Sequence, residues 1–345
     1  MTEVLPMIPL PYAYGQPHLS GRLRATPEDF QVREELDFSL DGAGEHAWLW
    51  VRKRGANTEW VVKRLAEWAG VAPSAVSYAG LKDRHAVTEQ WFSVHLPGRA
   101  EPDWTAGDDP DFTVLKAVRH SRKLRRGALS GNTFRIVIRE LDGDPAELAT
   151  RLNLIAAHGV PHYFGEQRFG REGGNLERAE AMLSGREKVR DRHRRSLYLS
   201  AARSELFNAV LARRVHDQNW NQALPGEVLM LAGSHSIFAA AEVDETLQQR
   251  VAAFDVHPTG PLWGVGELRS SGAVRELEES VAATLPIFRD GLAAAGLDQE
   301  RRALRLMAQD AALEWPEPRT AVISFRLPAG AYATTVVREL VEALV

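Results

Sequence analysis

Short runs of alternating apolar and polar residues are the dominant pattern in the first and last parts of the chain. Such alternation is typical of strands that bury one face and expose the other to water. The run at 46–53 is apolar on both faces, which indicates a central strand. The pattern therefore predicts strands at residues 30–34, 46–53, 91–96, 134–138 and 322–327.

Apolar residues recur at helical spacing in other segments. A helix is predicted from Asn57 to Trp68, because Gly70 follows as a stop signal. Helical patterns prevail between about residues 159 and 305, and Pro286 is expected to kink or split the last of these helices. They lie at residues 176–183, 200–215 and 274–296. The mixture of strands and helices predicts an α+β protein.

Composition narrows the class of protein. A chain of 345 residues suggests about two domains of roughly 150 residues each. The absence of cysteine excludes disulfides and thiolate metal sites and favours a reducing, cytoplasmic setting. We find no signal peptide, no membrane-length apolar segment, and no metal, phosphate-loop or dinucleotide motif. We therefore expect a soluble cytoplasmic protein that works without a cofactor and without a membrane.

The net charge of −4 does not by itself suggest a nucleic-acid partner. Positive charge is nevertheless concentrated at residues 119–126 and 186–195. Each cluster alone is more often a solvated surface, whereas two of them in a slightly acidic chain favour a segregated phosphate-binding surface. The candidate RNA-binding residues are Arg122, Lys123, Arg125, Arg126, Arg192, Arg194 and Arg195.

The segment from Ser77 to Val94 carries the strongest candidate chemistry. Gly80 precedes a lysine, an aspartate and an arginine, at Lys82, Asp83 and Arg84. Opposite charges on both sides hold the aspartate ionised, so that it can serve as a nucleophile or a base but not as an acid. The alternative interpretation is a charged hairpin with no chemical role.

The stretch Gly80-Leu81-Lys82-Asp83 resembles the signature of the TruD family of tRNA pseudouridine synthases, in which this aspartate is catalytic. Further segments resemble the same family in the same order, at residues 27–30, 131–134, 160–170, 199–208 and 328–340. His162 stands in the third of them, where the family pattern has asparagine. The resemblance covers nearly the whole chain.

The resemblance implies an isomerase that converts uridine to pseudouridine in a folded tRNA, with uridine 13 the usual target. Asp83 would either attack C1′ of the sugar or remove a proton from C2′, and the sequence leaves both routes open. The implied substrate-binding residues are aromatic side chains that wall the pocket, an amide that binds the base, and two flanking cations. They are Phe30, Phe134, Tyr332, Asn132, Lys82 and Arg84.

The resemblance also implies a catalytic domain with a mixed, largely antiparallel sheet flanked by helices. This domain would comprise residues 1–158 and 306–345, and an α-rich TruD-specific insertion would occupy residues 159–305. No obligate protein partner is indicated. Two alternatives are an RNA-binding protein or tRNA chaperone with little or no catalysis, and an Asp-dependent hydrolase. The retained Asp83 argues against the first, and the lack of a second catalytic acid argues against the other.

Overall fold

The computed structural model describes residues 8–104 and 109–344. It confirms the predicted α+β class, with a mixed sheet and eight helices in those residues. None of these helices is both long and apolar enough to cross a membrane.

The four strands predicted in the first 140 residues are present, although the run predicted at 91–96 ends at His95, and three further strands in this part of the chain were not predicted. The strands are β1 (Ser20–Leu23), β2 (Phe30–Glu35), β3 (His46–Arg54), β4 (Val76–Tyr78), β5 (Val87–His95), β6 (Phe112–His120), β7 (Gly131–Asp142), β8 (Val160–Pro161), β9 (Glu227–Leu231), β10 (Ile237–Ala240), β11 (Val256–Leu262), β12 (Glu300–Ala303), β13 (Arg305–Leu306), β14 (Gln309–Glu317), β15 (Thr320–Pro328) and β16 (Glu342–Leu344).

Two predicted helix signals are confirmed, whereas the helix predicted at 200–215 begins eight residues earlier, at Arg192. Gly70 ends the first helix in the left-handed conformation, at φ 60°, and Pro286 splits the predicted long helix in two. The helices are α1 (Thr58–Ala69), α2 (Pro145–His158), α3 (Gly174–Leu183), α4 (Arg192–His216), α5 (Glu245–Ala252), α6 (Gly272–Ala283), α7 (Pro286–Ala294) and α8 (Ala333–Leu340).

The described residues fall into two compact units. The first unit comprises Pro17–Ala156, Ala308–Ala333 and the segment that begins at Leu340. The second unit comprises Ala157–Met307, Thr334–Glu339 and the segment that ends at Gln16. The assignment of residues 1–158 and 306–345 to a catalytic domain, with 159–305 as an insertion, stays a prediction.

The first unit is built on one large sheet of mixed direction. Its main strand order is β14-β15-β7-β2-β5-β3-β6, and most neighbours are antiparallel, as predicted. β2 and β5 run parallel, as do β1 and β16. Helix α1 packs against one face of β3 and β5, where Val61 and Leu65 join Leu49 and Phe92 in a closed apolar core. This packing fixes the segment between α1 and β5.

Two strands that are far apart in the sequence are neighbours in this sheet. β7 pairs with β15 over eight residues, from Gly131 opposite Pro328 to Ile138 opposite Ala321. The same register places Phe134 opposite Phe325. The pairing therefore joins two segments that lie, in the sequence, before and after Ala157–Met307.

The second unit contains the predicted helices and also a small sheet that sequence periodicity does not reveal. The order of this sheet is β10-β9-β11-β12. β11 includes two prolines and a glycine within the run His257-Pro258-Thr259-Gly260-Pro261, a composition that ordinarily indicates a loop. Its strand character comes from the antiparallel partners on both sides.

Candidate active site

The turn that carries Asp83 is held by buried polar side chains. The backbone N–H of Lys82 donates to Thr58 Oγ1 at 3.1 Å, and the Thr58 hydroxyl donates to Gln90 Oε1 at 3.1 Å. Gln90 Nε2 in turn donates to the carbonyl of Gly80 at 3.4 Å. Thr58 begins α1 and Gln90 lies in β5, so both elements hold the turn in one conformation.

Each carboxylate oxygen of Asp83 accepts a hydrogen bond. Its Oδ2 accepts from Arg24 Nη1 at 2.7 Å, and its Oδ1 accepts from the N–H of His85 at 3.0 Å. Lys53 Nζ donates to the Asp83 backbone carbonyl at 2.7 Å. The side chain nevertheless remains 27% exposed. The result is a carboxyl group that is held in place by hydrogen bonds and that a substrate can reach.

Arg24 is a site residue that the sequence analysis missed. Its guanidinium carbon lies 4.1 Å from the centre of the Phe30 ring while the same group binds Asp83. The backbone of Arg24 is left-handed, with φ 54°, a conformation that is uncommon for a residue with a side chain. The available signal was a cation in the segment just before Phe30, but nothing in that pattern indicated the backbone conformation.

Lys82 is paired within the protein. Its Nζ lies 2.5 Å from Glu34 Oε1, and the other Glu34 oxygen accepts the Trp91 N–H at 2.8 Å. Burial raises the pKa of Glu34, and the neighbouring Lys82 charge opposes that shift. The pair is almost fully enclosed, since the Lys82 side chain is 10% exposed and that of Glu34 is 0% exposed. Contact between Lys82 and a substrate stays a prediction.

Lys53 is a second buried cation next to the turn, and it too was not anticipated. Burial lowers the pKa of Lys53 to about 8, an effect that the Asp83 charge opposes and the Lys82 charge reinforces. Lys53 and Val51 are two residues apart in β3, and both point to its inward face. A lysine at the end of an apolar strand resembles a solvated surface residue in sequence, so its buried position could not be recognised.

The predicted aromatic residues Phe30 and Phe134 meet on the sheet. Their ring centres are 6.2 Å apart in an edge-to-face arrangement, and Phe134 stacks on Phe325 at 5.6 Å. Val32 is the register partner of Phe134, which places Phe30 and Phe134 on the same side of adjacent strands. Phe325 extends this wall and was not anticipated, although it lies in the predicted strand at 322–327.

Asn132 lies on the same face as Phe134, two residues earlier in β7. Its register partners are Glu34 on β2 and Leu327 on β15. The buried Asn132 Oδ1 has no hydrogen-bond partner within residues 8–104 and 109–344, and the same is true of Thr88 Oγ1. A buried acceptor without a donor is costly, at about 1–3 kcal/mol, which points to a partner that arrives from outside.

The two remaining predicted substrate-binding residues lie in different settings. Arg84 is exposed, and its Nε donates to the carbonyl of Gly55 at 3.2 Å. Tyr332 is half-buried in the short connection between β15 and α8. Their contact with substrate stays a prediction.

The first basic cluster leads from the end of β6 into a loop that contacts the Asp83 turn. Trp48 Nε1 donates to the carbonyl of Arg122 at 2.8 Å. The N–H of Gly127 donates to the carbonyl of Ala79 at 3.1 Å. These bonds fix the loop beside the segment that leads to Asp83. Its predicted RNA-binding side chains are all exposed: Arg122, Lys123, Arg125 and Arg126.

The second basic cluster forms the beginning of α4 in the second unit. Asp191 caps the helix by accepting the Arg194 N–H at 2.7 Å. The three predicted RNA-binding arginines of the first turn are exposed, and none has an ion-pair partner among the described residues. They are Arg192, Arg194 and Arg195. Positive side chains at the positive end of a helix dipole cost stability, typically about 0.3–1 kcal/mol each.

His162, the departure from the family pattern, lies in the second unit. Burial, followed by the charge of Arg302, lowers the pKa of His162 well below its usual range, so the ring is neutral. Its Nδ1 faces the carbonyl of Ala303 at 3.2 Å and its Nε2 faces Arg302 Nη2 at 2.5 Å. A neutral imidazole offers one donor and one acceptor, as an amide does. That equivalence explains how histidine can stand where asparagine is usual.

Comparison with known proteins gives consistent results. The family model described as tRNA pseudouridine synthase D (TruD) matches residues 10–188 and 175–340. The tRNA pseudouridine synthase D of Nitrosococcus oceani is 53% identical over 337 residues, which cover 96% of this chain and 94% of the relative. That of Methylococcus capsulatus is 50% identical over 333 residues, with the same coverage.

A solved structure has a similar fold. It is a crystal structure of a chain assigned as tRNA pseudouridine synthase D (TruD) from Methanosarcina mazei, with a TM-score of 0.75. The match covers 97% of this chain and 96% of that chain at 23% identity. At that identity the similarity concerns the fold alone.

Proposed function

The chain belongs to the TruD family of tRNA pseudouridine synthases, and on this premise we propose that Asp83 converts uridine 13 of tRNA to pseudouridine. Enzymes of this class are isomerases. The proposal depends chiefly on one observation: the Asp83 side chain is fixed by Arg24 and the His85 N–H, and it remains partly open to a substrate.

The reaction requires a carboxylate beside the sugar and adds no atoms. The N1–C1′ bond breaks, the uracil turns over, and a C5–C1′ bond forms while C5 loses a proton and N1 gains one. Asp83 can assist in two ways, by attack on C1′ or by removal of the C2′ proton. Both routes need the ionised form in a fixed position, which Arg24 and the polar contacts of the turn provide.

The pocket walls are suited to a uracil that has left its stack. Extraction of a base costs a few kcal/mol, which aromatic contacts and hydrogen bonds in the pocket offset. Phe30 and Phe134 form one wall, and Tyr332 is the proposed third aromatic residue. Asn132 Oδ1 is an acceptor without a donor among the residues that the structure describes, and the N3–H of uracil is a donor that could satisfy it. Arg84 and Lys82 are the proposed flanking cations.

The two basic clusters are the proposed contacts to the RNA backbone. The loop that follows the first cluster is joined to the Asp83 turn by the hydrogen bond from the Gly127 N–H to the Ala79 carbonyl, so phosphates bound there would lie near Asp83. The second places three arginines where the helix dipole disfavours them, and a bound phosphate would reverse that repulsion. Recognition of the folded RNA would then depend on shape and phosphate rather than on base sequence.

Asp83→Asn tests the proposal directly, because it removes the charge and keeps the shape. Unmodified tRNA transcripts are incubated with each variant, RNA binding is measured, and pseudouridine is mapped by chemical modification and primer extension. We expect the wild type to convert uridine 13 and Asp83→Asn to bind the RNA without converting it. The matched control is Asp142→Asn, which neutralises an 81% exposed carboxylate on the same sheet. Full activity of Asp83→Asn would refute the assignment, and conversion at another uridine would refute the target.

A further inference from the structure

A groove lies on the face of the large sheet that α1 does not cover. Trp50 stands between Leu49 and Val51, both of which point into the core beneath α1. Successive residues of a strand alternate between faces, so Trp50 points the other way. It lines a cavity of about 760 Å³, whose further lining includes Trp91, Arg33, Phe38, Lys116 and Val118.

The floor of the groove is aromatic and partly open. The rings of Trp50 and Trp91 have centres 5.0 Å apart at an interplanar angle of 47°, and both residues are half-buried. Phe38 at the rim is 41% exposed. Adjacent aromatic rings with accessible faces are the usual platform for unpaired nucleobases, because every base has a face that can stack.

The most exposed charge around this floor is positive. The Arg33 guanidinium lies 5.9 Å from the Trp50 ring centre and its Nε lies 3.9 Å from Glu89 Oε2, while the Arg33 side chain is still 68% exposed. Lys116 is exposed on the edge strand β6. The acids of the groove are already engaged, since Glu34 binds Lys82 and Glu35 binds Arg326. A polyanion with stackable groups therefore complements this surface.

The groove continues toward the first basic cluster. Phe38 and Ser39 also line a second cavity of about 670 Å³, whose further lining includes Trp48, His120, Arg122, Lys123 and Arg125. Asp41, the acid of this second cavity, accepts from the Ser121 N–H at 3.0 Å and lies 3.0 Å from His120 Nδ1. The loop of the basic cluster thus contacts the catalytic turn through Gly127 and borders the groove through its cations.

We propose that this groove binds unpaired nucleotides of the substrate RNA, with bases stacked on Trp50 and Trp91 and phosphates held by Arg33 and Lys116. The occupant is single-stranded because paired bases cannot offer a free face to an aromatic ring. The groove lies on the opposite side of the sheet from Phe134 and Asn132, so it is a second contact with the RNA rather than part of the uracil pocket. The identity of that RNA as tRNA rests on the proposed function.

Substitution of one platform residue tests the stacking. Trp50→Ala is compared with Trp315→Ala, which removes a 42% exposed tryptophan of the same sheet outside the groove. Binding of a fluorescein-labelled single-stranded RNA of about eight nucleotides and of a tRNA transcript is followed by anisotropy. We expect Trp50→Ala to weaken both about tenfold, Trp315→Ala to have no effect, and Trp50→Tyr to retain most of the affinity.

A charge variant covers the case in which Trp50→Ala does not fold. Lys116→Glu is compared with Lys63→Glu, which reverses an exposed charge on α1. Lys116→Glu should weaken RNA binding and flatten its salt dependence, whereas Lys63→Glu should leave both unchanged. Wild-type affinity and salt dependence of Lys116→Glu, together with no loss of affinity in any folded Trp50→Ala, would overturn the proposal.

The absence of cysteine allows the occupant to be located. Ser39→Cys places a single thiol where the two cavities meet, and Ser280→Cys places one on the exposed surface of α6. We expect tRNA to slow alkylation by iodoacetamide at residue 39 and not at residue 280. Unchanged alkylation at saturating tRNA would overturn the proposal. So would protection that depends on protein concentration without RNA, because the occupant would then be a second copy of the chain.

The outcomes separate this proposal from the proposed function. If uridine 13 is converted normally while the groove variants bind RNA like the wild type, the groove proposal fails and the function stands. If no uridine is converted by the wild type but Trp50→Ala weakens RNA binding about tenfold, the groove stands as an RNA site and the function fails.

Discussion

Glu34→Gln is expected to destabilise the first unit more than most single substitutions. Glu34 is fully buried, and its two oxygens bind Lys82 Nζ and the Trp91 N–H. Glutamine keeps the shape and can still accept from Trp91 through its carbonyl. It removes the only charge that the structure shows paired with Lys82 in the residues it describes, and it leaves a lysine whose side chain is 10% exposed.

The size of the effect follows from that burial. Removal of one partner from a buried ion pair typically costs about 3–5 kcal/mol, because the other charge remains desolvated and uncompensated. The Lys82 side chain is 10% exposed, so water can partly solvate its charge, and we expect the lower end, about 3 kcal/mol. A typical domain has about 5–15 kcal/mol of stability in total. The loss should therefore be obvious in urea denaturation at pH 7.

A double-mutant cycle isolates the pair. Glu34→Gln and Lys82→Met are measured singly and together by urea denaturation, with tryptophan fluorescence and circular dichroism as probes. The double variant replaces the ion pair by neutral groups of similar volume, so it should regain most of the lost stability. Glu28→Gln is the control, since Glu28 forms an exposed pair with Arg54 and its loss should leave the urea midpoint unchanged.

The same cycle decides between two roles for Lys82. If the lysine serves only to hold the turn, the stable double variant should convert uridine at nearly the wild-type rate. If it also binds substrate, the double variant should be stable and yet have a reduced kcat/KM. A loss below about 1 kcal/mol in Glu34→Gln would refute the reasoning, because that value is typical of an exposed ion pair.

Four further predictions concern cations. Arg24→Ala should lower the rate of conversion in single-turnover assays about a hundredfold, because Asp83 loses its fixed position. Arg24→Lys should recover part of that rate. An unchanged rate in Arg24→Ala would show that Arg24 does not position Asp83. The kcat/KM of the wild type should fall as pH rises through about 8, where Lys53 loses its proton, and Lys53→Met should lack this step. The pKa of Lys53 is lower in the folded protein than in the unfolded chain, so the unfolded chain binds this proton first and folding stability should fall as pH falls from 10.5 to about 8. Lys53→Met should abolish this pH dependence of stability. Glutamine at the three arginines of the first turn of α4 should reduce the slope of log Kd against log salt by roughly two to three without a loss in Tm, and an unchanged slope would exclude this surface.

Local patterns predicted much of the first unit. The alternation in β5, the left-handed stop at Gly70 and the position of the Asp83 turn all arise from residues close together in the sequence. The aromatic contact between Phe30 and Phe134 was also accessible, because both lie in strands of clear period.

The ion pairs around Asp83 could not be predicted in the same way, because their partners are far apart in the sequence. Glu34 and Lys82 are 48 residues apart, and each alone has the pattern of a surface residue. Arg24 reaches Asp83 across 59 residues from a left-handed backbone that its side chain does not favour. The small sheet of the second unit was missed for another reason, since β11 contains prolines and a glycine and is defined by its neighbours.

The pairing of β7 with β15 has a consequence for synthesis of the chain. β7 is complete at Asp142, whereas its partner ends only at Pro328, so the ribosome must translate the intervening residues before the sheet can close. During that interval one edge of β7 presents unpaired backbone groups, the kind of edge on which nascent chains aggregate. Phe134 also lacks Phe325 until then. The aromatic wall of the site is thus finished late in translation, and premature termination before residue 320 would release a chain with an open sheet and no activity.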